Sequence, residues 1–476
     1  MRSDPESLAV PKPDDRTGRY TIAVALVACL GGLMFGYDIG VIADAKLGMR
    51  KEFGFSDLQV ETVVSAVLAG SFLGAILAGG LCDRIGRRRT NIAGGALFVV
   101  GCIGCSLSDG FTTIVIFRVI MGMGVGFSSV AGPLYIAEIA APWSRGGMVS
   151  LYQLAITFGI LVAFLAGIPL GSLGAEIGWR VAFALGALLG VALIAGMLVM
   201  PSSPRWLVAR GRLDDAKGVL YRTMGSKEAA EKELEAIRIR VVVEAGQKLW
   251  TAIRERPAVQ GALILAIGLA FLQQASGINA IFYYAPEIFQ EVKLGTEDSR
   301  KYLVAGLGLV NFLATFIAIF MVDRVGRRPL LLAGTALMIV AEVGVAIAAL
   351  FLGSDSGTLS GVGLVIVLGL VFSIVAFAFS LGPLVWLVIA EIFPAGVRSK
   401  CIGVASAMNW AGNYLIAEGS LSVVKFNPSI AFGVFAAFNL FTIFFVLWRM
   451  PETKGVELEK IEEFFDKKPH AASETS

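Results

Sequence analysis

Two ionisable residues stand inside apolar stretches where charge is costly. Asp38 lies in Leu33-Met34-Phe35-Gly36-Tyr37-Asp38-Ile39-Gly40, and Arg118 opens a glycine-rich run that reaches Gly126. A charge at the centre of a membrane helix costs at least about 2.5 kcal/mol, so such residues are functional candidates by default. A guanidinium keeps its proton in a protein, so a buried Arg118 needs an anion. Asp38 is the obvious one in the same half of the chain. A carboxylate that gains or loses a cationic partner changes its hold on a proton, and conformation would then switch proton affinity. A fixed structural ion pair is the plainer alternative. The glycines after Arg118 imitate a dinucleotide loop only superficially, because they follow no strand and sit in an apolar run; close helix packing is the better reading.

Neutral polar residues gather elsewhere. Phe271-Leu272-Gln273-Gln274-Ala275-Ser276-Gly277-Ile278-Asn279 places two glutamines one to two helical turns from an asparagine, and Gln153, Asn311, Asn409 and Asn413 are further amides within apolar runs. Trp386 and Trp410 are their aromatic neighbours. Amides both donate and accept, which suits a ligand made of hydroxyls, and flat aromatic faces suit the C–H face of a pyranose. Amides also tie membrane helices together, but so many beside two tryptophans favour a polyhydroxy ligand.

The elements that must position these groups are membrane helices. Apolar runs of about 20 residues, enough to cross ~30 Å of hydrocarbon, fall near 20–43, 59–81, 90–107, 111–136, 147–170, 181–200, 258–288, 303–322, 329–352, 361–390, 400–423 and 429–449. The chain repeats itself. Asp83-Arg84-Ile85-Gly86-Arg87-Arg88-Arg89 returns as Asp323-Arg324-Val325-Gly326-Arg327-Arg328-Pro329. Ala137-Glu138-Ile139 with Arg145 returns as Ala390-Glu391-Ile392 with Arg398, and Met200-Pro201 returns as Met450-Pro451. Landmarks recurring in order mark two copies of one unit, and parallel halves of this kind are a transporter architecture. The expected organisation is an N-terminal tail (1–19), a six-helix bundle (20–201), a hydrophilic linker (202–257), a second six-helix bundle (258–450) and a C-terminal tail (451–476). Within the linker, 214–219 and 227–243 read as amphipathic helices on a membrane surface.

Composition agrees. Of 476 residues 56% are hydrophobic and 16% charged, with a mean hydropathy of +0.76, against roughly 25% charged in soluble proteins. The net charge of +3 implies no nucleic-acid surface. The polar, Pro-rich residues before Tyr20 predict no cleavable signal peptide. Lys and Arg populate the turns at 83–89, 323–328 and 398–400 and the linker, whereas the turns near 108–110, 171–178 and 353–360 have none. The positive-inside rule therefore places both termini and the linker in the cytoplasm of a cell-membrane protein. The charged stretches 44–57 and 291–301 read as outer loops. Cys29, Cys82, Cys102, Cys105 and Cys401 lie in or beside apolar runs and read as reduced packing residues. With one histidine, His470, and no nucleophile–base or metal-ligand cluster, the chain is not expected to be an enzyme or to hold a metal or cofactor. No Walker motif is present, so a gradient must drive any transport.

These residues carry a resemblance. FGYD at Phe35–Asp38, DRIGRRR, the glycine stretch from Arg118, PLYIAEIA at Pro133–Ala140, Arg145-Gly146 with Gln153, and PSSPRWL at Pro201–Leu207 resemble the sugar porter family of the major facilitator superfamily. So do QQASGINAIFYYAP at Gln273–Pro286, GPLVW at Gly382–Trp386, AEIFP at Ala390–Pro394, Asn409-Trp410 and PETKG at Pro451–Gly455. The resemblance implies an all-α membrane protein of twelve helices in two pseudo-symmetric bundles, with a central sugar site reached alternately from each side. It implies that Gln153, Gln273, Gln274, Asn279, Asn311, Trp386 and Asn413 contact a monosaccharide, with Phe35, Trp410 and Tyr283 as neighbours. An Asp in FGYD is associated with proton symport and Asn with facilitated transport, so Asp38 with Arg118 points to symport driven by the proton gradient, in a protein expected to work as a monomer. A facilitative sugar or polyol carrier is the alternative, a sugar sensor a more distant one. Asp83, Arg84, Arg87, Glu138 and Arg145 of one half, and Asp323, Arg324, Arg327, Glu391, Arg398 and Glu452 of the other, are expected to form a cytoplasmic gate that holds the outward-open state. Three features depart from the family pattern. Ser202 stands in place of the Glu of the usual PESPR sequence, so that one acidic member of the basic-end network is missing, Ala43-Asp44-Ala45-Lys46 replaces a stretch of small residues, and Glu342 and Glu418 are acids within apolar runs.

Overall fold

A computed structural model describes residues 15–140, 145–245, 249–291, 296–351, 361–394, 397–454, 461 and 463–465. In hydrocarbon every backbone polar group must be satisfied within its own segment, and apolar runs of this length answer as helices. The first half comprises α1 (Asp15–Phe53), α2 (Asp57–Ile85), α3 (Arg87–Ser106), α4 (Phe111–Ile139), α5 (Arg145–Leu170) and α6 (Ala175–Val199). Short helices α7 (Pro204–Ala209), α8 (Leu213–Met224), α9 (Lys227–Ala245) and α10 (Leu249–Glu255) follow. The second half comprises α11 (Pro257–Ala275), α12 (Ile278–Glu291), α13 (Glu297–Val325), α14 (Arg327–Leu350), α15 (Gly361–Phe379), α16 (Leu381–Glu391), α17 (Arg398–Phe426) and α18 (Pro428–Arg449). Among the described residues ten helical stretches are long and apolar enough to cross a membrane, with α11–α12 and α15–α16 each counting as one. Helix α3, which opens on three arginines, and α17, which carries Asn409, Asn413 and Glu418, pack within the same bundles and complete twelve crossings.

The repeat in the sequence is a repeat in packing. In the first half α1 lies against α5 and α6, α2 against α4, and α3 against α4 and α6. In the second half α11 lies against α17 and α18, α13 against α15, and α14 against α15 and α18. The halves meet at two equivalent seams, α2 on α17 and α13 on α5, with α12 also against α1. The two basic turns match as well: each is a single glycine between helices, Gly86 at φ +88° and Gly326 at φ +102°, in the region that glycine alone enters freely.

The structure corrects the sequence reading in three places, one of them the stretch 291–301, where α12 runs to Glu291 and α13 already begins at Glu297. The stretch 44–57 is not a loop: α1 continues to Phe53, and α2 begins at Asp57 on a capping box in which Ser56 Oγ accepts from the Gln59 N–H and Gln59 Oε1 accepts from the Ser56 N–H. The runs 258–288 and 361–390 are each two helices, broken at Ser276-Gly277 and at Ser380. Gly277 takes φ +81° and Ser380 takes φ −123°, ψ −97°, and neither fits a continuous helix. Apolar length cannot reveal such breaks. The consequence is large for α12, whose Ile281, Phe282, Tyr284, Ile288 and Phe289 join an apolar core shared by both halves, while α11 packs into a core confined to the second.

Close approach of α2 and α4 depends on Gly122, where a Cβ would overlap the Val67 carbonyl oxygen. Gly122→Leu should therefore destabilise the first bundle by about 1–3 kcal/mol or more, the usual cost of overpacking. Gly403→Ala, with open space around it, should be neutral or slightly stabilising. Thermal denaturation in detergent checks both, and equal tolerance would mean that α2 and α4 can separate freely.

Candidate functional site

Arg118 is completely buried on α4, and Asp38 is nearly so on α1. One terminal nitrogen of Arg118 donates to Asp38 Oδ1. Its Nε donates to the Val63 carbonyl at 3.0 Å and its other terminal nitrogen to the Val64 carbonyl at 3.1 Å. The guanidinium carbon sits 6.0 Å from the Phe183 ring. One cation thus ties α1, α2, α4 and α6 together, and Asp38 supplies its anion. If α1 moves, the two carbonyls still hold Arg118, and Asp38 is the partner that can leave.

The amides of the second half form a continuous network. Asn409 Nδ2 donates to Gln273 Oε1 at 2.7 Å and to the Ala270 carbonyl at 3.0 Å. Gln274 Nε2 donates to Asn409 Oδ1 at 3.0 Å, and Asn279 Nδ2 donates to Gln274 Oε1 at 2.6 Å. Gln273 Nε2 reaches the Leu381 and Gly382 carbonyls at 2.7 and 3.0 Å. The network lies where both helices are broken, and it joins α11, α12, α16 and α17. Beside it Asn413 Nδ2 donates to the Tyr283 hydroxyl at 3.3 Å, while Asn413 Oδ1 is buried without a partner. Trp410 spans the two halves, with its ring edge-on to Phe35 at 4.8 Å and its Nε1 donating to Ser129 Oγ at 3.3 Å. Gln153, Asn311 and Trp386 lie on α5, α13 and α16; among the described residues no hydrogen bond joins their side chains to the network. Asn409 is the hub, a position the sequence marks as an amide at membrane depth but does not single out.

At the basic end Glu138 and Glu391 each pair with arginines of their own half. Arg87 contacts Glu138 at 2.9 Å and Asp83 at 3.6 Å, Arg205 lies 3.8 Å from Glu138, and Ser203 Oγ donates to Glu138. In the second half Arg327 contacts Glu391 at 3.0 Å and Thr453 Oγ1 donates to Glu391 at 2.6 Å. Ser203 and Thr453 are equivalent positions doing equivalent work, whereas Ser202 stands where the second half has Glu452. The carbonyls of Arg84 and Arg324 accept from Arg210 and Lys454, and Arg398 Nε donates to the Phe393 carbonyl at 2.9 Å. The Arg145 and Asp323 side chains lie outside the described residues.

The opposite end is shut by carboxylates that reach across the seam. Glu61 accepts from the Ser422 N–H and hydroxyl, both at 2.8 Å. Glu418 accepts from Thr62 Oγ1 at 3.1 Å and from Ser65. Lys425 meets Asp57 at 2.6 Å, and Lys46 of α1 pairs with Glu287 of α12. Glu342 is separate from both seams: it is buried in the second bundle and accepts from Asn439 Nδ2 at 2.8 Å and Ser373 Oγ at 3.2 Å. Glu287 escaped the sequence reading because it sits at the end of a long apolar run, where a single acid resembles a boundary residue.

The arrangement has known counterparts. Residues 24–465 match the family model described as sugar (and other) transporter. The chain is 39% identical over 437 residues to the putative metabolite transport protein YwtG of Bacillus subtilis, covering 91% of this chain and 93% of the relative. It is 36% identical over 443 residues to the galactose-proton symporter of Escherichia coli, covering 93% and 94%. Among solved structures it resembles the proton:xylose symporter XylE bound to 6-bromo-6-deoxy-D-glucose, with a TM-score of 0.82 and 29% identity over 94% of this chain and all of that one. The inward open xylose transporter XylE from E. coli follows at 0.78 and 28%, over the same shares.

Glu452 generates a prediction about pH. Burial works against its charge, but the backbone N–H groups of Lys454 at 2.9 Å and of Arg327 and Arg328 at 3.0 Å outweigh it and hold the carboxyl below its ordinary value. Its contribution to stability is complete above the unfolded value of about 4.3 and disappears as pH falls through the lower folded value. Glu452→Gln should flatten the acid limb of the thermal stability curve below about pH 4.3. An acid limb identical to that of the unmutated protein would mean that Glu452 contributes nothing there.

Proposed function

Because the chain belongs to the sugar transporter family, we propose that it is a proton-coupled symporter that carries a monosaccharide across the cell membrane by alternating access. The observation that carries this reading is Asp38, a buried carboxylate whose ionic partner is an arginine held independently by two backbone carbonyls. The relatives named as galactose- and arabinose-proton symporters support it. Separation from Arg118 leaves Asp38 without its cation, which favours the protonated form. Proton uptake and movement of α1 are then one event.

The sugar would bind at the amide network. Its hydroxyls can replace amide–amide hydrogen bonds with amide–hydroxyl bonds of similar strength, so the gain per bond is modest, about 0.5–1.5 kcal/mol. The unpartnered Asn413 Oδ1 is a free acceptor for such a hydroxyl. Phe35, Tyr283, Trp386 and Trp410 provide apolar surface for the ring. The Lys- and Arg-rich turns support a cytoplasmic basic end and cytoplasmic termini; on that reading the shut seam is the outer one and the state is closed to the outside. The basic-end residues are the cytoplasmic gate. Their pairing within each half belongs to this state, and pairing between halves would belong to the outward-open one. The working unit is the monomer, with proton and sugar as its ligands and the bilayer as its solvent.

Two experiments test the proposal. Gln273→Ala or Asn279→Ala should weaken sugar binding roughly five- to a hundredfold, the equivalent of ~1–3 kcal/mol for an unpaired buried group; unchanged affinity by calorimetry in both would move the site elsewhere. Sugar-dependent proton flux in proteoliposomes under an imposed sugar gradient decides the coupling. The unmutated protein should move protons with sugar. Asp38→Asn should still exchange sugar but neither carry protons nor accumulate sugar. Absence of proton movement in the unmutated protein would make it a facilitative carrier.

A further inference from the structure

Lys46 belongs to the Ala43-Asp44-Ala45-Lys46 stretch that departs from the small residues of the family pattern. Its ammonium pairs with Glu287, and the two side chains are 1% and 5% exposed. It also lies 5.1 Å from the centre of the Tyr284 ring. The pair joins helices of different halves, and each helix carries part of the transport machinery. Asp38 lies eight residues before Lys46 on α1, about 12 Å along the helix at 1.5 Å per residue. On α12 Asn279 lies eight residues before Glu287, and Tyr283 one turn before it.

Helix α12 is a short unit, set off from α11 by a break. It begins at the Gly277 break and has a second irregularity at Tyr284, with φ −116° and ψ 17°. Its apolar side chains pack in a core shared by both halves, whereas those of α11 pack in a core confined to the second. Two polar contacts fix its outer part: Lys46–Glu287 to α1, and the Tyr284 hydroxyl to the Ala417 carbonyl on α17 at 2.8 Å. Glu287 Oε2 is buried without a further partner, so Lys46 is the described cation that stabilises this carboxylate. Removing Lys46 leaves Glu287 as an uncompensated buried charge, and removing Glu287 leaves Lys46 with Asp44 of its own helix and no partner across the halves.

We propose that Lys46 and Glu287 are positioning residues that couple the proton site to the sugar site. The pair ties α1, which carries Asp38, to α12, which carries Asn279 and Tyr283, so a shift of α1 on protonation re-aims the sugar-contacting helix. The inference rests on the symport reading above. Asp44 and Arg50, the other charges acting on Lys46 from α1, do not replace the link because they move with the same helix.

The test measures the proton-to-sugar ratio in proteoliposomes beside sugar counterflow, which needs no net proton movement. Glu287→Gln, near in shape and neutral, and Lys46→Met should each lower that ratio about fivefold or more, the lower end of ordinary site-to-site coupling, while counterflow continues. The double variant should be no worse than the poorer single variant, because two members of one link lose it only once. A merely structural pair would depress counterflow and proton flux together and leave the ratio unchanged, and that result would overturn the inference. Additive losses in the double variant would overturn it too. If Lys46→Met does not fold, Glu287→Gln decides alone. Absence of proton flux in the unmutated protein would instead sink the symport reading, which makes the two failures distinguishable.

Discussion

An arginine that cannot lose its proton, fully buried at membrane depth, is the constraint around which the first half is arranged. Arg118 could be stabilised by one carboxylate and left there, but it also receives two carbonyls from α2. These contacts make the anion replaceable. A cation with a single partner would be stranded whenever that partner moved, at a cost of several kcal/mol. A cation with three partners tolerates the loss of one. The glycines that follow Arg118 let α4 approach α2 closely enough for those carbonyls to be in reach, so the packing motif and the charged site are one design.

The second half solves a different problem with neutral groups. Breaking a membrane helix exposes backbone carbonyls where no water can satisfy them, and such breaks survive only where protein groups substitute. The Ser276 hydroxyl does this at the end of α11 by donating to the Gln273 carbonyl at 2.6 Å, and the Gln273 amide pins the start of α16 to α11 through the Leu381 and Gly382 carbonyls. The residues that would recognise a sugar are therefore also those that tie the broken helices to one another. Their amide–amide bonds keep every member but Asn413 satisfied in the absence of ligand, and a ligand gains mainly by matching that network rather than by filling an empty one.

Much of this was legible in the sequence because membrane helices write themselves as length and because charge in an apolar run is conspicuous. The twelve crossings, the repeated Gly86 and Gly326 turns, and the meeting of Asp38 with Arg118 all follow from such signals. The breaks at Gly277 and Ser380 do not, since a glycine or serine in an apolar run reads equally well as helix packing. Residues 44–53 were read as loop for the converse reason: Asp44, Lys46, Arg50, Lys51 and Glu52 look solvated, yet Lys46 is buried because its partner comes from α12, 241 residues away. Partnerships of that sequence separation leave no local trace. The basic-end network shows the same limit, for composition marks Glu138 and Glu391 as paired but not which half supplies the arginine.

Alternation between two states needs ends that are bistable rather than merely weak. At the shut seam the carboxylates of Asp57, Glu61, Glu287 and Glu418 each accept across the boundary, from lysines, hydroxyls and one backbone N–H. At the basic end Glu138 and Glu391 take arginines from their own halves. Opening the first seam exposes its carboxylates to water, which solvates them, so they lose partners without being stranded. On the proposed gate, closing the basic end would let the same arginines face acids of the other half. Each end would thus exchange partners instead of discarding them, and the two states could lie within a few kcal/mol of each other. A ligand moves such an equilibrium only by its differential affinity for the two states. On the proposed reading, a monosaccharide bound by neutral amides would supply little difference by itself, and a proton that decides whether Asp38 holds Arg118 would supply the rest.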